Sequence, residues 1–374
     1  MEKRDLNRYK NNEPSIATYL HRKGVAMGIP IAGNFELTPR CNFNCKMCYV
    51  HLSSKEVERR GRELTADQWL NIAQEAKEQG MMFLLLTGGE PLIREDFLYL
   101  YRELKKMGLM ISINSNGSLI KGEILEYFKD NPPYRLNISL YGGSDSTYER
   151  LCGRAKYTEV ISNIKAIKDL GISVRLNVSI TPDNKEDISL IYKKARELNV
   201  HIKSTTYMYP PIRINEKAIG CNSHRFTAEE AAHWKLHCDR ERYTIEEMNR
   251  YRDNITETIS SETSYLEENQ EGVSCRAGRS SFWITWDGRM LPCGMMVEPI
   301  AYPLKDGFKE AWKYIKEATK TIMLPKKCIM CNKRSLCPVC AAVCYSETGA
   351  FNKVPKYLCT MTEKVIEGIL KEFQ

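Results

Sequence analysis

Cys41-Asn42-Phe43-Asn44-Cys45-Lys46-Met47-Cys48-Tyr49, which follows the apolar run Phe35 to Leu37, places three cysteines at CxxxCxxC spacing on one short loop. Three thiolates on such a loop can hold three irons of a cubane 4Fe-4S cluster and leave the fourth iron without a protein ligand. A zinc knuckle would draw on the same thiolates. A structural zinc closes four ligands, however, and the nearest spare donor, His51, makes a cramped set. The open iron points to chemistry rather than to a staple.

Forty residues on, Thr87-Gly88-Gly89-Glu90-Pro91 follows a second apolar run, Met82 to Leu86. Two glycines let the backbone approach a ligand closely, and Glu90 can accept a hydrogen bond from an ammonium group. Further apolar runs at Met110–Ile113, Leu136–Leu140, Val174–Ile180 and His201–Thr205 alternate with amphipathic segments, the pattern of βαβ units and a parallel sheet. Thr65-Ala66-Asp67-Gln68 reads as a capping box, and Gly80, Gly108 and Gly171 read as helix stops. The expected fold is α/β: a partial (βα)6 TIM-like barrel over 33–207, after a helical and irregular lead-in over 1–32. In parallel barrels the chemistry sits at the C-terminal ends of the strands, where both motifs fall.

CxxxCxxC with an aromatic directly after it, joined to a GGEP segment at the next strand end, resembles the radical S-adenosylmethionine (radical SAM) enzymes. The resemblance implies a cluster on Cys41, Cys45 and Cys48 whose unique iron chelates the amino and carboxylate groups of SAM. It also implies reductive cleavage of SAM to methionine and a 5′-deoxyadenosyl radical. Tyr49, Gly88, Gly89 and Glu90 would border the cofactor, with Glu90 on its ammonium. Asn114, in the segment Ser112 to Gly117 that resembles the family's TNG turn, would face SAM as well. Ser139 matches the serine of an SxDG pattern, although Tyr141 replaces the usual Asp, and Asn177 resembles a ribose contact. Ordinary turn chemistry remains the alternative for these Asn and Ser residues.

Composition narrows the class. The 374 residues carry 55 Lys and Arg against 47 Asp and Glu, and the +8 excess is spread thinly, so it singles out neither a nucleic acid nor a membrane. No apolar run is long enough to span a bilayer, and Met1 to Lys10 is too polar for a signal peptide, so a cytoplasmic location is expected. In that setting fourteen cysteines argue for metal or redox use rather than a disulfide framework. Cys152, Cys221 and Cys238 stand apart and read as core or surface thiols. The stretch 208–272 reads as a charged helical bridge, opened by Pro210-Pro211 and closed by the acidic residues around Glu262–Glu271; it could gate the site or be a solvated insertion.

The remaining eight cysteines lie in 273–374, which reads as an α+β cysteine-rich unit opening on a hairpin at Asp287-Gly288. Gly288-x4-Cys293 and Cys328-x2-Cys331-x5-Cys337 resemble the SPASM extension of radical SAM proteins; the next step is shifted, with Cys340 early and Cys344 late. A zinc ribbon would use the same pairs. The resemblance implies two auxiliary 4Fe-4S clusters, the distal one on Cys328, Cys331, Cys337 and Cys359. The proximal one would take Cys275, Cys293 and either Cys340 or Cys344, with an iron open to substrate unless both ligate.

Enzymes with this extension mostly modify ribosomally made peptides or proteins, by thioether or carbon–carbon links or by oxidation. That is the expected activity, with a flavodoxin or ferredoxin-type reductant as partner. Residues 1–32 are too few for a winged-helix peptide-recognition domain, so a separate leader-peptide-binding protein or the 208–272 stretch would serve. Sulfatase-maturing relatives carry Asp where Gly294 stands. A haem-precursor enzyme of the same architecture is the alternative, and a non-catalytic iron–sulfur carrier is the rival from another class.

Overall fold

A computed structural model describes residues 15–260 and 272–372. The reading of Met1 to Lys10 and the acidic stretch Glu262–Glu271 lie outside the described residues. Eight strands form one sheet: β1 Ala32–Glu36, β2 Phe83–Thr87, β3 Met110–Ser115, β4 Arg135–Ser139, β5 Val174–Ser179, β6 His201–Thr205, β7 Ser281–Ile284 and β8 Met290–Leu291. Their order is β6-β5-β4-β3-β2-β1-β7-β8, and β1 to β6 run parallel with helices as crossovers. The sheet is open, with β6 and β8 at its edges, so the barrel is partial as expected. All six sequence-read strands are present.

Strand alternation sorts the two faces. Phe35, Leu84, Leu86, Ile111, Ile113, Leu136, Ile138, Leu176 and Val178 are buried, and Phe35 lies 4.8 Å from Trp69 of the helix Ala66–Glu78. That helix opens on the expected capping box: Thr65 Oγ1 accepts from Gln68 N at 3.2 Å, and Gln68 Oε1 accepts from Thr65 N at 3.0 Å. The opposite face, near the strand ends, is polar. Register sets Asn114 beside Asn137, Ser139 beside Asn177, and Asn177 beside Lys203. A row of polar side chains therefore crosses the concave face at the C-terminal ends.

The hairpin β7–β8 forms where Asp287-Gly288 predicted a turn, but its first strand pairs parallel with β1. Residues from the cysteine-rich part thus extend the barrel sheet directly. Helix Ala228–Arg242 packs along helix Lys356–Glu372, close enough that a Cβ on Gly368 would lie 2.2 Å from Leu236 Cδ1. No helix among the described residues is long and apolar enough to cross a membrane.

Candidate active site

The cysteine loop is closed at its base, where Leu52 N donates to Pro39 O at 3.1 Å. Its far side is tied to the end of helix Asp145–Cys152: Asn44 N donates to Cys152 O at 2.9 Å and Lys46 N to Leu151 O at 3.1 Å. Lys46 adds an ion pair to Asp183. Two glycines then press the next strand end against the loop. A Cβ on Gly88, whose φ is +142°, would lie 2.4 Å from Thr38 O, and one on Gly89 2.3 Å from Arg40 O. The freed space is filled by bonds from Gly89 N to Thr38 O at 2.8 Å and from Glu90 N to Arg40 O at 2.9 Å. Part of what the glycine pair provides is therefore an approach of backbone to backbone.

Cys41, Cys45, Cys48, Tyr49, Gly88, Gly89, Asn114, Ser139 and Asn177 all line one cavity of about 800 Å³. Glu90 does not. Its carboxylate is fully buried and accepts from Leu92 N, Ser115 Oγ and Asn116 N, the last at 2.7 Å. Burial pushes its pKa up to about 7 in spite of those bonds. The Glu90 carboxylate thus ties the turn after β2 to the turn after β3. Asn116, whose pairing with Gly117 makes the turn that the sequence pattern resembles, is what that tie positions: its Nδ2 donates to Asn42 Oδ1 at 2.8 Å and reaches Cys41 Sγ at 3.8 Å.

The three thiols fit a cationic iron group. Burial holds Cys41 up at about 12, and Cys48 is raised for the same reason. Cys45 is raised first by the Cys152 thiol beside it and then by burial. A bound metal ion reverses this preference, since a coordinating thiol ionises outright. Donors already face the sulfurs: Phe43 N lies 3.4 Å from Cys41 Sγ and His51 N 3.2 Å from Cys48 Sγ.

The outer part of the cavity comes from unexpected elements. Lys203 projects from β6; Lys235, Cys238, Asp239 and Arg242 come from helix Ala228–Arg242; Leu358, Met361, Val365 and Ile366 come from the last helix. The stretch 208–260 is therefore a wall of the cavity and not only a solvated bridge. Cys238, read as an ordinary thiol, is buried in that wall, whereas Cys221 is exposed.

Cys275, Cys293 and Cys340 lie within electrostatic reach of one another, and Cys328, Cys331, Cys337 and Cys359 form a second such group. Burial raises Cys293 and Cys328 to about 11 each. Cys344, fully buried, faces Cys328, Cys340 and Cys337, between the two groups. Tyr49 lies between the N-terminal loop and the first of these groups, sensing both Cys48 and Cys293, and burial raises its phenol pKa. Behind it Arg213 holds Glu36 with two bonds of 2.8 Å and donates to Gly294 O at 3.0 Å, while Trp283 Nε1 donates to Glu36 Oε2 at 3.0 Å.

The Radical SAM superfamily model matches residues 35–195, from the end of β1 through the cysteine loop and β2 to β5. A protein of Methanosarcina barkeri named AdoMet-dependent heme synthase is 24% identical over 340 residues, 86% of this chain and 94% of that one. A probable GTP 3′,8-cyclase of Saccharolobus islandicus is 32% identical over 167 residues, 44% of this chain and 53% of the cyclase. The crystal structure of Streptococcus suis SuiB bound to S-adenosylmethionine superimposes with a TM-score of 0.64 at 18% identity, covering 93% of this chain and 82% of SuiB. SuiB has also been solved bound to the precursor peptide SuiA. The structural likeness speaks to the fold alone.

Proposed function

The chain is a radical SAM enzyme with a C-terminal extension, and from that premise we propose that it modifies a side chain of a ribosomally made peptide or protein. The modification would be a thioether or carbon–carbon crosslink or an oxidation. Two auxiliary 4Fe-4S clusters would assist, on Cys328, Cys331, Cys337 and Cys359 and on Cys275, Cys293 and Cys340. When bound, the first cluster and SAM supply a 5′-deoxyadenosyl radical able to take a hydrogen atom from a C–H bond.

The observation that carries this reading is the cavity. Its inner end is made of the cysteine loop and polar strand ends, which suit the cofactor; its outer end is walled by β6 and the two packed helices. At about 800 Å³ it sits in the upper range of pockets for one ligand. The chain's own contribution is then positioning and exclusion of water. Gly88, Gly89, Asn114, Ser139 and Asn177 would border SAM, with the Glu90 tie holding Ser115 and Asn116 in place. The apolar residues of the last helix would keep the target C–H bond dry.

A substrate that is a carboxylate-bearing small molecule is the second reading. Lys203, Lys235 and Arg242 on the cavity wall favour it, as does the nearly full-length likeness to the archaeal haem synthase. Incubating the reconstituted enzyme with SAM, a reductant and a short peptide encoded beside its gene separates the two. A peptide product short of two hydrogens, formed with 5′-deoxyadenosine, is the expected result. SAM cleavage coupled only to loss of CO2 from a tetrapyrrole would overturn the peptide reading.

A further inference from the structure

The chemistry at the cysteine loop needs one electron per SAM cleaved, and no side chain supplies it. A second cleft, of about 760 Å³, shares no lining residue with the cavity. Five cationic side chains line it, Arg60, Arg62, Arg213, Lys217 and Arg289, against the two acidic ones Glu216 and Asp287. Asp287 is already taken, by Arg289 at 2.9 Å and by Thr285 Oγ1. Arg60 donates to Arg213 O and Ile214 O and so pins the rim. Arg62 and Lys217 are exposed and make no ion pair among the described residues. The cleft therefore presents net positive charge to solvent.

Its location is what gives it a use. The helix Ser54–Arg60, which ends in the basic run Arg59-Arg60-Gly61-Arg62, starts just after the cysteine loop closes at Leu52. Arg213 forms the floor, and its guanidinium is 9% exposed and bound to the buried Glu36. Tyr49, beside Cys48, lies within electrostatic reach of both Arg213 and Glu36. The Arg213–Glu36 pair and Tyr49 thus stand between the cleft and Cys48.

We propose that this cleft is the docking surface for an acidic one-electron carrier protein, bearing a flavin or an iron–sulfur group. The carrier loses one electron and the cluster on Cys41, Cys45 and Cys48 gains it; no bond is made or broken in the transfer. Complementary charge raises the encounter rate and fixes register, and both effects fade as salt rises. An acidic peptide would find the same charge here. The side chain to be modified could not react from there, however, since the cleft shares no residue with the cavity that holds the cysteine loop. The inference rests only on the need for an electron, not on the identity of the substrate.

The test compares reconstituted wild-type enzyme with the Arg62→Glu/Lys217→Glu variant, using reduced flavodoxin as the acidic carrier and dithionite as a reductant that needs no docking. At low salt the variant is expected to bind flavodoxin about tenfold more weakly by calorimetry, with a flatter salt dependence. Flavodoxin-driven 5′-deoxyadenosine formation falls with it, while the dithionite-driven rate stays. Equal flavodoxin affinity in the two proteins overturns the proposal. If the dithionite-driven rate falls by the same factor, the residues serve the loop itself and the proposal fails. It fails too if an acidic peptide binds the cleft while flavodoxin binding ignores the charge reversal.

Discussion

Arg213→Met is the substitution for which the structure gives the largest stability effect. Glu36 is 1% exposed and Arg213 9%, and two bonds of 2.8 Å join them. With the guanidinium gone, the Glu36 carboxylate keeps the Trp283 indole as its one donor among the described residues. Breaking a buried pair from one side costs about 3–5 kcal/mol, because it leaves the other charge uncompensated. At about 2.1 cal/mol/K per residue, 374 residues give an unfolding entropy near 0.8 kcal/mol per degree. A fall in Tm of about 4–6 °C follows. Differential scanning calorimetry of wild type, Arg213→Met and Glu36→Gln/Arg213→Met reads it directly. The double variant should recover at least half the loss, since a neutral pair carries no stranded charge. A single variant within about 1 °C of wild type, or a double variant that is worse, would refute the assignment of a buried carboxylate.

Replacing Cys41, Cys45 and Cys48 together by Ala should abolish 5′-deoxyadenosine formation after anaerobic reconstitution and leave iron at the C-terminal cysteines; undiminished SAM cleavage would contradict it. Gly89→Ala drives a Cβ to 2.3 Å from Arg40 O, so it should cost about 1–3 kcal/mol in urea unfolding and broaden the cluster's EPR signal; wild-type values for both would count against the close approach. Cys344→Ala should keep the full iron content while Cys340→Ala lowers it, as iron analysis per chain will show. His21, 6% exposed and bonded to Ser280 Oγ at 2.9 Å, is held down to about 4 by burial and then by Arg276. The unfolded chain takes up that proton first, so stability falls as pH drops from about 6.5 to about 4, by up to about 3 kcal/mol. His21→Phe should flatten that part of the stability curve, and an unchanged slope would show that other groups carry it.

The six parallel strands were legible because strands covered on one side by helices read as short apolar runs, and the cysteine loop and glycine pair because their information is local. Contacts between distant segments were not. Glu36 and Arg213 lie 177 positions apart, and although Glu36 sits within the run Phe35 to Leu37, nothing beside it names Arg213 as its partner. Gly88 and Gly89 allow close approach to any atom, and sequence does not say that the atom is Thr38 O or Arg40 O. The helix Ala228–Arg242 is rich in charge and reads as solvated. Its Ala231, Ala232 and Leu236 are buried, while Lys235, Asp239 and Arg242 face the cavity. The parallel pairing of β7 with β1 was hidden too, since a hairpin announces its turn and not its outer neighbour.

The Glu36 network also explains why Gly294 is glycine. A Cβ at 294 would lie 2.7 Å from the Trp283 ring, and Trp283 cannot retreat without giving up its bond to Glu36. The carbonyl of residue 294 is in turn a partner of Arg213. An Asp there would therefore need the indole, the ion pair and the backbone beside Cys293 to move together. Its carboxylate would also arrive next to Glu36, a like charge in a buried setting. A base for side-chain oxidation cannot be placed at this position without dismantling the contact between the cysteine loop and the Cys293 segment. On the other walls of the cavity, among the described residues, the carboxylate in place is Asp239, paired with Lys235.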